Sequence, residues 1–379
     1  MRREKSKKPA PGHFSEQNRR RRKQRLLSGT LLLAISVGLL MISRQVAGSG
    51  EWYAQNLYPY FRRIIGGLSG LFPFSVAEVG LYGGLAALIW RLVQSLRCRI
   101  KTGERGAVSA WIAGVWLLGA LLLFFYTLGC GINYQRRSFV SLAEMPQQSY
   151  TKAELAKTCR WLTDAVNQTA ARVQRDEEGL LQISGDYREL AAATMTAAGK
   201  RYEALAGKYP AAKGLLVPEL LSYQQLSGIY APFTAEANVN SAMPAYDLPF
   251  TACHELAHFQ GFMSEDEANF IAFLACHDGP YREFAYSGDL TAWQYAMSRL
   301  RRADPTAYEQ ERARLAPQAE ADITADAEFW QQYEGIVSDW NQQVNDSYLK
   351  AQGQSAGVAT YGGLTDLVVN HYLRTWEQK

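Results

Sequence analysis

The hydrophobic pattern along the chain changes character near residue 134. Before it, apolar residues form long runs. From Leu26 to Ser43 the sequence LLSGTLLLAISVGLLMIS carries no charge, and at about 1.5 Å per helical residue it approaches the hydrocarbon thickness of a bilayer. A second, weaker run extends from about Ser75 to Leu96, with Glu78 and Arg91 close enough to its ends to reach the interfaces. The third has no charge between Arg105 and Arg136, and its core reads WIAGVWLLGALLLFFYTLGCGI. The three runs predict three transmembrane helices within residues 26–133. In the segment from Arg44 to Phe74, Trp52, Tyr53, Tyr58 and Tyr60 suit the outer membrane interface.

After residue 134 the period becomes helical. Lys152 to Val173, Glu189 to Lys208 and segments between Tyr308 and Lys350 repeat apolar residues every three or four positions and carry charge on their other faces. Phe233 to Asn240 alternates instead, as a strand does. At a sheet edge beside a binding site, such a strand could pair with an extended peptide, although an ordinary half-buried strand fits the pattern equally. The predicted fold is mainly α: three N-terminal transmembrane helices, then an α+β domain over 134–379 with a small sheet, large enough for its own core.

Charge adds an orientation. Eleven Lys/Arg against two acidic residues give the first 25 positions about +9, which leaves the rest of this +4 chain near −5. A basic tail directly before an apolar run fixes membrane orientation, so residues 1–25 and the basic loop Arg97 to Lys101 belong in the cytoplasm. Three spans then place the domain after Asn133 outside, at a multi-pass cell-membrane location. No nucleic-acid partner is expected. The five cysteines, Cys98, Cys130, Cys159, Cys253 and Cys276, have neither Cys-x-x-Cys spacing nor the density of a disulfide scaffold. Cys253 and Cys276 could pair in an oxidising compartment, or stand as buried thiols.

Chemistry concentrates between Gly228 and Cys276. His254-Glu255-Leu256-Ala257-His258 sits where a helix is expected, with Asp247 as its cap, Pro249 in its first turn and Gly261 as a left-handed stop. Histidines four apart share a helix face and can reach one ion. Glu255 stands beside the metal as the base for an activated water. A catalytic zinc needs a third donor and an open position. Ser264 and Glu267 form an S-x-x-E capping box, which makes Glu265 the first helical residue and the preferred third ligand, with Glu267 as the alternative. Asn269, one turn on, could hydrogen-bond a histidine ligand. His277 reads as a helix-end residue. For a hydrogen-bond donor to the developing oxyanion, Tyr286 comes first, with Tyr361 and His371 behind it.

His254-Glu255-x-x-His258 followed by Glu265-x-x-Ala268-Asn269 resembles the gluzincin metallopeptidases, which place a glutamate ligand on a second helix. The chain departs from them in Asn269, where aspartate is usual, and in a short link between the helices. Gly261 also resembles the metzincin pattern, but Ser264 stands where the third histidine would be. Three spans followed by PFTAEANVN, CHELAHFQGF, EDEANFIAFLAC, YSGDL and ATYGGLTDL further resemble a bacterial family of uncharacterised zincin-like membrane proteins. That resemblance implies a zincin-type domain in the bacterial envelope. The expectation is a zinc (Zn2+) metallopeptidase acting on peptides or proteins of the envelope and anchored in the lipid bilayer. The alternatives are a metal-stabilised sensor or binding module without turnover, and a structural protein in which the histidines are core residues.

Overall fold

A computed structural model describes residues 16–102, 106–145, 147–352 and 363–377. Among the described residues, three helices are long and apolar enough to cross a membrane: α1 (Glu16–Gln45), α4 (Val76–Thr102) and α5 (Gly106–Gly129). Both α1 and α4 pack on α5. Their outward faces are apolar, which suits lipid. Between α1 and α4 lie two short helices, α2 (Ser49–Asn56) and α3 (Tyr58–Ser69). They divide the expected interfacial aromatics. Trp52 and Tyr60 are exposed, whereas Tyr53 and Tyr58 are buried, because both hydroxyls find acceptors inside: Tyr53 donates to the Leu128 carbonyl (2.6 Å) and Tyr58 to that of Phe259 (3.1 Å).

The rest is mainly helical. After α6 (Phe139–Leu142) come α7 (Lys152–Ala170) and α8 (Tyr187–Ala198). Helix α7 opens on a full capping box in which Thr151 and Glu154 exchange hydrogen bonds, and α8 opens on Asp186, which accepts from the Arg188 N–H. The apolar period from Glu189 to Lys208 overran α8, since the chain turns at Gly199 and continues as a 3-10 turn. Strand β1 (Lys213–Gly214), short helix α9 (Glu219–Ser222) and strands β2 (Gly228–Ala231) and β3 (Glu236–Val239) follow. Next come α10 (Asp247–Gln260), α11 (Glu265–His277), α12 (Arg282–Ala303) and α13 (Pro305–Arg312). The chain ends with α14 (Pro317–Gln331), α15 (Ile336–Ala351) and α16 (Gly363–Glu377). The segments expected between Tyr308 and Lys350 are α13, α14 and α15, separated ahead of Pro317 and at Gly335.

The sheet has the order β1-β3-β2, with β3 parallel to β1 and antiparallel to β2. Of the two readings open for Phe233 to Asn240, the edge strand does not hold: β3 is central, all four of its residues are buried, and the edges are β1 and β2.

Helices α10, α11 and α12 form the centre, and α7, α8 and α16 pack around them. Apart from His254, every residue of α10 after Asp247 is buried, as befits a helix surrounded on all sides. The domain is tied to the spans at several points. The Glu236 carboxylate of β3 accepts the first N–H groups of α4, Val76 (3.0 Å) and Ala77 (2.8 Å), and pairs with buried Lys213. Lys213 also donates to the carbonyls of Ser69 (2.7 Å) and Phe74 (3.0 Å). Glu78 accepts from the N–H groups of Leu216 (2.7 Å) and Val217 (2.9 Å). Pro232 packs directly on Gly129, the last residue of α5.

Candidate metal centre

Residues 254 and 258 lie one helical turn apart, and α10 presents both imidazoles on one face, ring centroids 4.7 Å apart. The helix begins at Asp247 itself, without a side-chain cap. Asp247 is a first-turn residue instead, and Ser287 of α12 serves the helix start by accepting the Phe250 N–H (3.1 Å). At the other end Gly261 adopts φ 101°, the left-handed stop its position required. Residues next to the spans complete this end. Arg136 donates to the Gln260 carbonyl (3.0 Å) and stacks over the Phe262 ring at 3.9 Å, Tyr58 donates to Phe259, and Arg62 pairs with the Gln260 side chain. Cationic donors at a helix C-terminus complement its exposed carbonyls.

The turn after Gly261 carries α11 back across α10. Ser264 is its N-cap by position, but the expected box with Glu267 does not form. Ser264 bonds the Asp266 carboxylate, and Glu267 accepts the Phe139 N–H at 2.6 Å. That contact turns Glu267 away from the histidines. Burial pushes its carboxyl up to about 7, opposed by the Phe139 N–H.

Glu265 turns toward them. Its Oε2 lies 3.2 Å from His254 Nε2 and 3.7 Å from His258 Nε2, and one ligating atom from each of the three residues falls within 4.8 Å of the others. The other ring nitrogens are engaged: His254 Nδ1 meets Asn269 Oδ1 at 2.8 Å, and His258 Nδ1 meets the Phe262 carbonyl at 2.7 Å. A carbonyl only accepts, so His258 carries a proton on Nδ1, and its Nε2, facing Glu265, is the nitrogen left to take a second proton or a metal ion. Lone pairs and a carboxylate this close repel unless a cation lies between them. Burial alone would lower the His258 pKa, but the Glu265 carboxylate carries it up to about 9, while the histidines pull Glu265 far below the usual carboxylate range despite its burial.

A metal ion meets the same need from more directions than a proton. Bonds of about 2.0–2.2 Å in tetrahedral geometry set ligand atoms roughly 3.3–3.6 Å apart, close to the two histidine-to-Glu265 separations. Two nitrogens and one oxygen, each histidine bonded to an outer acceptor, form a donor set of the kind that holds a divalent metal ion.

Glu255 stands beside the cluster. It is 4 % exposed, its Oε2 has no hydrogen-bond partner, and burial pushes its pKa up to about 7 against the pull of the two histidines. Gly228 of β2 makes room for it, since a Cβ there would lie 2.6 Å from Glu255 Oε1. That close approach had no signal in the sequence beyond the glycine itself.

The site opens into a cleft of about 1340 Å³, bounded by α10, edge strand β2, α14, α15 and the end of α5. Tyr286 is not part of it. Its hydroxyl donates to Asp322 (2.5 Å) beneath Arg175, in the packing behind the site. His371 lies among Phe270, Phe273 and Trp161, and Tyr361 falls outside the described residues. His277 closes α11 and bonds Asp289 (2.6 Å). In place of Tyr286, the cleft holds Tyr134, Tyr295 and Tyr348, all kept protonated by burial, Tyr295 near 12. Distant positions converge there, so no local motif announced them. Cys253 and Cys276 are buried thiols.

No curated protein and no solved structure matches the chain. A family model described as a protein of unknown function (DUF3810) matches residues 53–369. That span runs from α2, through two of the three apolar helices and the whole His-Glu site, to α16, and the chain therefore belongs to the DUF3810 family.

Proposed function

We propose that this protein is a membrane-anchored zinc-dependent metallohydrolase, a peptidase of gluzincin-like mechanism. One observation carries the reading: two imidazole Nε2 atoms and a Glu265 oxygen converge on a common point, while the adjacent Glu255 keeps a buried carboxylate oxygen without a partner. Convergent metal-type donors beside a carboxylate oxygen without a partner suit an ion and a water.

His254, His258 and Glu265 would hold the metal, and Asn269 and the Phe262 carbonyl fix the imidazoles. A bound divalent ion supplies the Lewis acidity that acidifies a water and polarises a carbonyl. Glu255 Oε2 takes the proton of the attacking water and returns it to the leaving amine. Tyr134, Tyr295 or Tyr348, rather than Tyr286, supplies any hydrogen bond to the developing oxyanion. Edge strand β2, with Ile229 exposed to the cleft, offers backbone groups to an extended peptide. The distribution of Lys and Arg supports a cytoplasmic N-terminus and an extracytoplasmic domain.

The test is Glu255→Gln in the full chain, compared with the parent on envelope-protein extracts and a peptide library at equal zinc content. Hydrolysis should fall ~10²–10⁴-fold, the usual contribution of a general base. Equal cleavage by both refutes the mechanism, and a zinc-loaded parent that cleaves nothing favours a sensor or binding module. For topology, a reporter active only outside the cytoplasm and fused after Lys379 should be active; a silent reporter on an inserted chain refutes the orientation.

A further inference from the structure

Helix α15 has three lengthwise strips. At about 100° per residue, Ser338, Asn341, Asn345 and Leu349 fall on one, turned toward the domain: Ser338 and Leu349 are buried, and Asn341 donates to the Gln224 carbonyl (2.8 Å). Asp339, Asp346 and Lys350 form a charged flank, with Lys350 and Asp346 paired at 2.6 Å. The opposite flank is Val337, Trp340, Val344 and Tyr348. A soluble helix has reason to expose the charged flank but not the apolar one. Yet Val337 is 51 %, Trp340 67 % and Val344 45 % exposed.

Tyr348 shows which way that flank faces. Its hydroxyl lies 3.0 Å from that of Tyr126, in the last turn of α5, and 3.1 Å from that of Tyr134 just beyond it. Arg44, at the end of α1, donates to the Ala351 carbonyl (3.1 Å). The apolar flank is thus turned to the side where α1 and α5 end. A second exposed apolar patch sits at the same level. Leu216 and Leu220 adjoin the start of α4 through the Glu78 contacts, and Phe233 follows the Pro232 that packs on Gly129. Phe233, Tyr126 and Tyr348 line the same cleft as His254 and Glu255. The apolar rim therefore continues the lipid-facing surface of the spans up to the mouth of the cleft.

We propose that this rim rests on the bilayer surface, with α15 lying in the interface along its Val337–Trp340–Val344 flank, so that the cleft takes polypeptide from the membrane side. An amphipathic helix with an aromatic on its apolar face binds a bilayer in this way, and an apolar patch continuous with membrane spans is covered by lipid. The substrate class that reaches such a cleft is the juxtamembrane segment of a membrane-anchored protein. The substrate class rests on the peptidase reading above; the lipid contact does not.

The experiment uses the full chain in phosphatidylcholine/phosphatidylglycerol nanodiscs, with Cys98 replaced by Ser because the other four cysteines are buried. An environment-sensitive fluorophore is attached at Val344→Cys or, on the charged flank, at Asp339→Cys. The Val344 label should be quenched by lipids carrying a shallow nitroxide and shielded from aqueous iodide, and the Asp339 label should behave oppositely. Equal iodide access at both positions without nitroxide quenching overturns the proposal. So does shielding without nitroxide quenching, which would mean that protein covers the flank.

A second arm compares one cleavable sequence on a membrane-tethered reporter and as a free peptide. The double substitution Trp340→Ser/Val344→Ser should slow the tethered reaction about tenfold or more, because tethering acts through effective concentration, and leave free-peptide cleavage and zinc content unchanged. Equal loss on both substrates overturns the membrane-side approach. A zinc-loaded parent that cleaves neither refutes the peptidase reading and the substrate class with it, and the quenching arm then decides the lipid contact by itself.

Discussion

Two buried charge clusters lie on either side of the sheet, and they are finished differently. At the joint with α4, Lys213 spends its three donors on Ser69, Phe74 and Glu236, while Glu236 accepts from Val76, Ala77 and Lys213. No side-chain atom of either residue is left over. At the α10–α11 site, Glu255 Oε2 and Asn269 Nδ2 have no partner, and two imidazole nitrogens face a carboxylate. Desolvating a charge is unfavourable, and the joint meets that cost with a full set of partners. The α10–α11 cluster combines atoms without partners with three convergent donor groups. The first cluster fastens the domain to the apolar helices; the second holds the convergent donors on which the proposed metal site rests.

Substitutions on both sides probe this contrast, beginning with the largest effect. His254→Ala or His258→Ala should reduce bound zinc from about one per chain to none, read by elemental analysis of purified protein. Stoichiometric zinc in both variants would remove these residues from the site. Lys213→Met should instead leave zinc per folded chain unchanged and cost ~3–5 kcal/mol of stability, because it strands the buried Glu236 carboxylate; denaturant unfolding measures it. A loss under 1 kcal/mol would mean that the joint is not the structural cluster it is taken for.

Smaller effects sharpen the picture inside the site. Asn269→Ala should weaken zinc binding ~10–100-fold, the usual effect of removing a ligand's outer hydrogen bond, in competition titration against a chelator. The pair Glu265→Gln and Glu267→Gln should separate ligand from scaffold. The first should lose zinc. The second should keep it and lose only about 1 kcal/mol with the weakened Phe139 contact. Zinc loss in the second alone would exchange their roles.

Much of this was legible in linear order. Long uncharged runs mark helices that suit lipid, because a bilayer leaves backbone groups no partner outside the helix. A four-residue spacing brings His254 and His258 together through helix geometry alone, and Gly261 stops α10 because it tolerates positive φ. The placing of Glu265 against the two histidines and of Asn269 behind His254 also follows from helix period, once α11 is started at residue 265. Where two local explanations competed, the sequence misled. S-x-x-E at Ser264 and Glu267 has the form of a capping box, but Phe139, 128 positions away, offered Glu267 an unpaired N–H.

The chain by itself therefore determined what depends on neighbours in sequence: three apolar helices, a helical domain, and a His-Glu-His pair with its carboxylates. Only the tertiary structure decided which strand is the edge, that Tyr58 and Arg136 finish the end of α10, that Tyr286 is spent on Asp322, and that the last turn of α5 and α15 wall the cleft. Periodicity is a local property of backbone geometry, whereas these contacts join residues up to 222 positions apart. They are chosen by which buried polar group still lacks a partner, and that is settled only when the whole chain has packed.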